Sequence, residues 1–156
     1  LAATSVPFAV LLTNASRASK LWPDARWRLV QRELRARGLH SLLFAGSAGE
    51  TEATRRRAEG MTDARLAPRS GLDQVAAVLA RARVVVGLDT GLTHLSAALG
   101  TPTLGLFCDY DPRLVGVTGS GPCISLGGVG AAPSAEDAVA AFDELLAAGA
   151  SAAIAP

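Results

Sequence analysis

One stretch decides the fold of this chain: Val84-Val85-Val86-Gly87-Leu88-Asp89-Thr90-Gly91-Leu92-Thr93-His94-Leu95. It opens as an apolar, β-branched run long enough for one buried strand, and then turns through Asp-Thr-Gly into a helical pattern. A helix that follows a strand this closely leaves its first backbone N–H groups unpaired at the carboxyl edge of the sheet. The helix dipole adds partial positive charge there, so such an edge binds phosphate readily.

Four residues of this turn are predicted to form a binding site. Thr90 is expected to cap the helix, and Gly91 to let a ligand approach the backbone. Asp89 ends the strand and His94 lies one turn into the helix, so both would flank the same spot. The alternative is that Asp-Thr-Gly is only a turn with a helix cap, and that His94 is a surface residue.

Composition restricts the function classes. The chain has 156 residues, of which 49% are hydrophobic, so one domain with a proper core is expected. Aromatic residues make up 4% and the net charge is +1, which argues against a nucleic-acid partner. No apolar run approaches the ~18 residues that cross a membrane.

Cysteine usage and the chain ends give further expectations. Cys108 and Cys123 lack metal-ligand spacing, so two buried thiols in a reducing, cytoplasmic compartment are predicted, with a disulfide as the alternative. Because the first residue is Leu1 rather than Met, a fragment is expected. Residues 1–7 are interpreted as a lead-in or linker, 8–148 as the domain, and 149–156 as a frayed tail.

Apolar runs and helical patterns alternate along the chain. Strands are predicted at 8–12, 41–45, 64–67, 84–88, 103–107 and 124–126. Helices are predicted from Pro23 to about 37, and at 50–59, 71–82, 91–99 and, capped by Ser134, to about 148. This alternation predicts an α/β fold with a Rossmann-like, mostly parallel sheet and helices on both faces.

Polar clusters follow four of these strands. They lie at residues 15–20, 46–50, 89–94 and 109–111. Ligands of parallel sheets bind beyond the carboxyl ends of the strands. The four clusters are therefore expected to converge on one crevice.

Together these clusters resemble the lipopolysaccharide heptosyltransferases of glycosyltransferase family 9. The likeness covers about residues 8–145. The matching residues are Ser16-Arg17-x-x-Lys20-x-Trp22-Pro23-x-x-x-Trp27, Gly46 with Glu50, Ala80-x-Ala82, Val85 to Leu95 with Ala97-Ala98-Leu99, and Asp111-Pro112-x-Leu114 with Gly116. The D-T-G-L-T-H-L block and K-x-W-P are specific only in combination.

The resemblance implies an inverting enzyme with two Rossmann-like domains, the GT-B arrangement. This chain is similar to the C-terminal half, which binds ADP-L-glycero-β-D-manno-heptose as donor and needs no metal or other cofactor. The acceptor, the Kdo residue of Kdo-lipid A in the bacterial inner core, would approach through an N-terminal domain that supplies the general base. The chain alone is therefore expected to bind ADP or ADP-heptose weakly and not to turn over.

The resemblance also implies two catalytic residues. Lys20 would meet the phosphate oxygens and offset the charge that grows on departing ADP. Asp89 would bind heptose hydroxyls, and His94 would be a further donor near the phosphates. The alternatives are a solvated lysine before a helix and a helix-surface histidine without a ligand.

Further donor-binding roles follow from the same likeness. Ala15 and Ser16 would lie near the diphosphate, and Thr90 and Gly91 would contact it. Glu50 would accept hydrogen bonds from the ribose hydroxyls, unless it is merely an acid in the first turn of a helix. Ser70 would lie near the adenine.

The sequence departs from the family pattern in three places. Thr13-Asn14-Ala15 replaces His-Ala-Thr, which loses one phosphate-contacting hydroxyl. Ser70 replaces a larger apolar residue. The stretch 107–111 replaces Tyr-Gly-Pro-Thr-Asp, and its Asp109-Tyr110-Asp111 is literally D-x-D, so a divalent cation is an alternative to the metal-free site.

Two other functions are alternatives to this interpretation. A non-catalytic nucleotide-binding module, or a degenerate paralogue, would fit the lost hydroxyl and the altered loop at 107–111. A Rossmann oxidoreductase is disfavoured because no G-x-G-x-x-G follows the first strand.

Trp22 and Trp27 are expected to be packing residues. The arginines of residues 24–37 and 55–57 are expected to form solvated faces, with contact to the anionic cytoplasmic face of the inner membrane as the alternative.

Overall fold

All six predicted strands form, and every pair is parallel. The computed structural model describes residues 6–154. Its strands are β1 (Phe8–Leu12), β2 (His40–Leu43), β3 (Ala64–Leu66), β4 (Val84–Leu88), β5 (Thr103–Phe107) and β6 (Cys123–Gly127). Its helices are α1 (Asp24–Ala36), α2 (Ala48–Glu59), α3 (Leu72–Leu79), α4 (Gly91–Ala98) and α5 (Ala135–Ile154), with a 3₁₀ turn at Ala18–Lys20.

The strand order creates a crevice between β1 and β4. The order is β3-β2-β1-β4-β5-β6, which is the Rossmann order. The chain runs outward from β1 to β3 and then crosses to β4 on the other side of β1. Because the connections leave β1 and β4 in opposite directions, their carboxyl ends border an open space. The predicted fold class, a Rossmann-like parallel sheet, is confirmed.

The core lies on both faces of the sheet. β4 and β5 are buried along their whole length. Trp27 and Phe142, from α1 and α5, pack with Leu11 on one face. Leu79, from α3, packs with Val10 on the other face. Neighbouring residues of β1 therefore face opposite layers, as the period of a strand requires.

The last helix is longer than predicted. α5 continues to Ile154, so the prediction of a frayed segment from residue 149 is wrong for 149–154. The reason is the alanine-rich sequence, because Ala has the highest intrinsic helix propensity and extends the helix without packing. Residues 1–5 of the predicted lead-in and residues 155–156 lie outside the described part of the chain.

The start of α2 also differs from the prediction. The helix begins at Ala48, two residues earlier than expected, because Ser47 forms a capping box with Glu50. The predicted Ser134 cap of α5 is confirmed, since its Oγ accepts a hydrogen bond from the Asp137 N–H at 3.0 Å.

The tryptophans are packing residues, as predicted. Trp22 and Trp27 are buried and meet edge to face, with ring centroids 5.0 Å apart. The Trp22 indole N–H donates to the Pro133 carbonyl at 2.8 Å, which ties the β1–α1 connection to the start of α5.

Cys108 and Cys123 are half-buried free thiols rather than fully buried ones. Burial raises the pKa of each thiol. Because Cys123 begins β6 and Cys108 follows β5, in parallel register, they lie about 16 Å apart. The alternative of a disulfide is therefore wrong.

Within residues 6–154, no helix is both long enough and apolar enough to cross a membrane.

Candidate functional site

Lys20, Asp89 and His94 meet at the crevice between β1 and β4. Lys20 Nζ lies 3.0 Å from Asp89 Oδ2, and His94 Nε2 lies 3.2 Å from Asp89 Oδ1. Lys20 comes from the β1–α1 connection, whereas Asp89 and His94 come from the β4–α4 turn. The sequence therefore correctly predicted that these two polar clusters converge. Lys20 is also the only lysine of the chain.

Asp89 is the electrostatic centre of this group. Burial raises the pKa of its carboxyl, but the hydrogen bonds from Lys20 and His94 together outweigh burial, so the pKa lies below its usual value. Its side chain is 19% exposed. The site therefore presents a carboxylate that already accepts from two donors.

The first turn of α4 carries unpaired donors. The Gly91 and Leu92 N–H groups have no hydrogen-bond partner within the described residues. A Cβ added at Gly91 would meet nothing within 4 Å, so the approach to these groups is open. Free N–H groups and the dipole of the helix suit an anion at this position.

Thr90 is the N-cap residue of α4, but its side chain does not cap the helix. The hydroxyl of Thr90 lies 3.3 Å from that of Thr93, which itself donates to the Leu88 carbonyl at 2.6 Å. The prediction of a side-chain cap at Thr90 is therefore wrong, because its hydroxyl faces another hydroxyl rather than a backbone N–H. The N–H groups of Gly91 and Leu92 therefore receive no hydrogen bond from a capping side chain.

Glu50 takes part in the capping box of α2. Its Oε2 accepts from the Gly46 N–H at 2.7 Å and from the Ser47 N–H at 3.3 Å. Its Oε1 has no partner among residues 6–154. Glu50 is therefore an acid in the first turn of a helix that still offers one free acceptor at the carboxyl edge.

The remaining predicted residues are less closely grouped. Ser16 is exposed, whereas Ala15 packs against the core. The Ser70 hydroxyl donates to the Pro68 carbonyl at 2.9 Å, beyond β3. The structure therefore places Ser70 on the same edge of the sheet as Lys20, but no hydrogen bond joins Ser70 to the Asp89 group.

In the D-x-D segment, Arg113 pairs with the Asp111 carboxylate, with Nη2 2.7 Å from Oδ2, and lowers the pKa of that carboxyl. Over the described part of the chain, no group of three His, Cys, Asp or Glu side chains could hold a metal ion.

Sequence reasoning missed a set of contacts that fixes the β1–α1 connection. Arg57 Nη1 donates to the Thr13 hydroxyl at 2.7 Å, and its Nε donates to Asp24 at 2.8 Å. The Asn14 amide donates to the Thr54 hydroxyl at 2.8 Å. α2 is thereby tied to both ends of the segment that carries Lys20.

The expectation of solvated arginines at 55–57 is correct for Arg55 and Arg56 and wrong for Arg57. Arg55 and Arg56 are exposed and pair with Glu52. Arg57 is 12% exposed, because it lies on the face of α2 that carries the buried Thr54 and Ala58. Helical spacing from Thr54 and Ala58 is the signal that could have identified it.

We expect Arg57→Gln to weaken ADP binding by about 3- to 10-fold, because the Lys20 segment loses two hydrogen bonds from a charged group and only part of that loss reaches the bound ligand. Arg56→Gln removes the same charge from an exposed position and is the matched control, expected to change affinity less than about 2-fold. Calorimetric titration of both variants measures the difference. Equal effects of the two substitutions would contradict the positioning role of Arg57.

The lowered pKa of Asp89 predicts a pH dependence. A carboxyl whose pKa is lower in the folded state stabilises the fold above its unfolded pKa of about 3.9, and this contribution is lost as pH falls through the folded value. Asp89→Asn should therefore cost about 1 kcal/mol at pH 7 and at pH 5. The cost should shrink below about pH 4. Urea unfolding of both proteins across this range checks it, and a cost that grows on acidification would contradict it.

The strand order and the polar group at its switch point define a Rossmann-like domain with its candidate site at the carboxyl edge. The sequence profile described as Glycosyltransferase family 9 (heptosyltransferase) matches residues 2–137. The chain belongs to glycosyltransferase family 9. The family predicted from the sequence motifs is thereby confirmed.

The proteins that are similar to this chain include lipopolysaccharide heptosyltransferases. Lipopolysaccharide heptosyltransferase 1 of Salmonella typhimurium is 42% identical over 114 residues, which are 73% of this chain and 36% of that protein. The solved structure of E. coli heptosyltransferase WaaC with ADP matches with a TM-score of 0.81 and 33% identity, over 93% of this chain and 46% of that one. The same enzyme with ADP-2-deoxy-2-fluoro heptose matches with a TM-score of 0.73 and 31% identity, over 90% of this chain and 44% of that one.

This chain is thus shorter than its relatives. It spans about a third of the length of the curated relative and about half of the solved chains.

Proposed function

We propose that this chain is the donor-binding half of an inverting GT-B glycosyltransferase. The reaction would move heptose from ADP-L-glycero-β-D-manno-heptose to the Kdo residue of the lipopolysaccharide inner core. The observation that carries the proposal is the meeting of Lys20, Asp89 and His94 beside the unpaired N–H groups of α4. This arrangement offers cationic and backbone donors to a diphosphate, and a carboxylate to sugar hydroxyls.

The reaction assigns a distinct task to each group. An acceptor hydroxyl attacks the anomeric carbon, the bond from that carbon to the diphosphate oxygen breaks, and ADP leaves with the bonding electrons. Lys20 and the N–H groups of Gly91 and Leu92 stabilise the negative charge that develops on ADP. Asp89 accepts hydrogen bonds from the heptose, and His94 donates to a phosphate oxygen.

The attacking hydroxyl must also lose its proton. Asp89 already accepts from Lys20 and His94 and is assigned to the sugar, so the base is proposed to lie in a second domain outside this chain. The chain alone then binds the donor without turning it over. Catalysis without a metal fits the site, because its cationic and backbone donors already face the place proposed for the diphosphate.

The relatives support ADP as the nucleotide. WaaC was solved with ADP and with an ADP-heptose analogue, and the curated relative is a lipopolysaccharide heptosyltransferase. The acceptor, Kdo-lipid A, would be reached at the cytoplasmic face of the inner membrane, with peripheral contact through exposed arginines. A degenerate, non-catalytic module is not favoured by the family match, and its support is the hydroxyl lost at Ala15 and the altered loop at 107–111.

Calorimetric titration of the chain with ADP, UDP and NAD in EDTA tests donor binding. We expect ADP to bind, and to bind more tightly than UDP and NAD, because the similar enzyme WaaC was solved with ADP. Loss of ADP binding in EDTA would contradict the metal-free site. If no nucleotide binds, the same titration on the longer protein decides between a site that needs its second domain and a degenerate fold.

A further inference from the structure

Asp89 forms an ion pair with Lys20, which is the only lysine of the chain. Lys20 Nζ donates to one carboxylate oxygen at 3.0 Å, and His94 Nε2 lies 3.2 Å from the other. The Lys20 side chain is 23% exposed and the Asp89 side chain 19%, so the pair is partly shielded from water. The cation assigned to the diphosphate is therefore also the ion-pair partner of Asp89.

A diphosphate that enters the site needs the same ammonium group that Asp89 already pairs with. The inference rests here on the proposed function. The phosphate oxygens compete with Asp89 for the single ammonium group. Asp89 directly precedes the N-cap residue Thr90, so its negative charge lies beside the N–H groups that would hold the phosphates. Two anions brought this close repel each other, and a partly buried carboxylate that loses a donor is left under-satisfied.

The sugar of the donor can replace the hydrogen bond that Asp89 loses. When Lys20 turns towards the phosphates, heptose hydroxyls donate to the Asp89 oxygen that Lys20 leaves, and the carboxylate stays satisfied. A free nucleoside diphosphate brings the same negative charge but no such donors. The two ligands therefore differ in what they do to Asp89, although they share every contact of the nucleotide.

We propose that Asp89 makes this site discriminate a sugar nucleotide from the free nucleoside diphosphate. The carboxylate raises affinity for the donor and lowers affinity for ADP. The same contact speeds product release, since transfer of the heptose removes the hydroxyls that kept Asp89 satisfied. Lys20 then pairs with Asp89 again, and the affinity of the site for ADP falls.

Titration of Asp89→Asn with ADP and with ADP-heptose tests the proposal. The variant should bind ADP about 3- to 10-fold more tightly, because a like charge near the phosphates is gone. It should bind ADP-heptose about 10-fold more weakly, because a hydrogen bond to a charged acceptor is lost. Glu59→Gln removes a negative charge from an exposed position at the end of α2, outside the predicted polar clusters, and should leave the ratio of the two affinities unchanged within about 2-fold.

A second pair of variants separates repulsion from the positioning of Lys20. In a Lys20→Met background, Asp89→Asn should improve ADP binding by more than it does when Lys20 is present, since nothing then offsets the carboxylate. If Asp89 only positioned Lys20, the substitution would have no effect in that background. Ligand-observed NMR reaches the millimolar Kd values that this comparison requires.

The outcomes separate the two proposals. If Asp89→Asn weakens both ligands equally, or leaves their ratio unchanged, discrimination by Asp89 is overturned while the proposed function stands. If the unmutated chain and the longer protein bind neither ligand, the proposed function fails and this inference fails with it. Tighter binding of ADP together with weaker binding of ADP-heptose supports both.

Discussion

We expect the Lys20→Met variant to bind ADP about 10- to 100-fold more weakly than the unmutated chain. A hydrogen bond from an ammonium group to an anion contributes about 1.5–3 kcal/mol, and each 1.4 kcal/mol is a factor of ten in Kd. Because this is the only lysine, no second ammonium can replace it. The variant also leaves Asp89 without the cation that offsets its charge towards the diphosphate.

The control for this prediction is Arg32→Met. Arg32 is 71% exposed and lies in the later part of α1, so its removal changes the net charge equally but leaves the crevice intact. Calorimetry with ADP at constant ionic strength measures both variants. In a longer protein that carries out the proposed transfer, turnover should fall by a further factor of about 10²–10³, because Lys20 is proposed to stabilise charge that exists only in the transition state. A change in ADP affinity below about 2-fold would show that Lys20 does not meet the phosphates.

The strands and helices could be predicted from the sequence because each depends on residues that are close together in the chain. The β-branched run 84–88 can bury both faces only as an inner strand, and the Asp-Thr-Gly that follows allows an immediate helix start. The parallel pairing of the strands was enough to predict that the polar residues gather at the carboxyl edge of the sheet.

The ion pair between Lys20 and Asp89 required more than local physics. The two residues are 69 positions apart, and no spacing rule joins them. They meet because β4 returns to pair with β1 on the side opposite β2. The family likeness indicated that both residues serve the donor, but the direct contact between them emerges only from the fold.

Arg57 shows a different limit of sequence reasoning. Three consecutive arginines look alike in a sequence, and only the phase of the helix decides which of them points inward. Thr54 and Ala58 are small residues in a polar helix, so their inward direction is hard to recognise. The partly buried Arg57 was missed because charged residues are rarely shielded from solvent unless they are paired, and its partners Thr13 and Asp24 belong to another segment.

Gly87→Ala is expected to have the largest effect on stability, at about 2–4 kcal/mol. Its added Cβ would overlap with Thr93 Oγ1 and lie 3.1 Å from Leu12 Cβ, in a strand that is buried throughout. Thr93 must move away, and its hydroxyl then loses the buried hydrogen bond to the Leu88 carbonyl. Because Thr93 belongs to the first turn of α4, the same movement displaces the N–H groups assigned to the diphosphate.

Two further variants locate the cause of this destabilisation. Gly49→Ala adds a methyl group in helix α2, where nothing lies within 4 Å, and should leave stability equal or raise it by up to about 1 kcal/mol. Thr93→Ala removes the obstructing oxygen, so Gly87→Ala should cost less in that background than in the unmutated chain. Urea unfolding of the four proteins of this cycle measures the coupling between the two positions. If the losses in free energy of unfolding caused by Gly87→Ala and Thr93→Ala simply add in the double variant, the contact between Gly87 and Thr93 does not set the distance of α4 from β4. The start of the helix must then be fixed by other contacts.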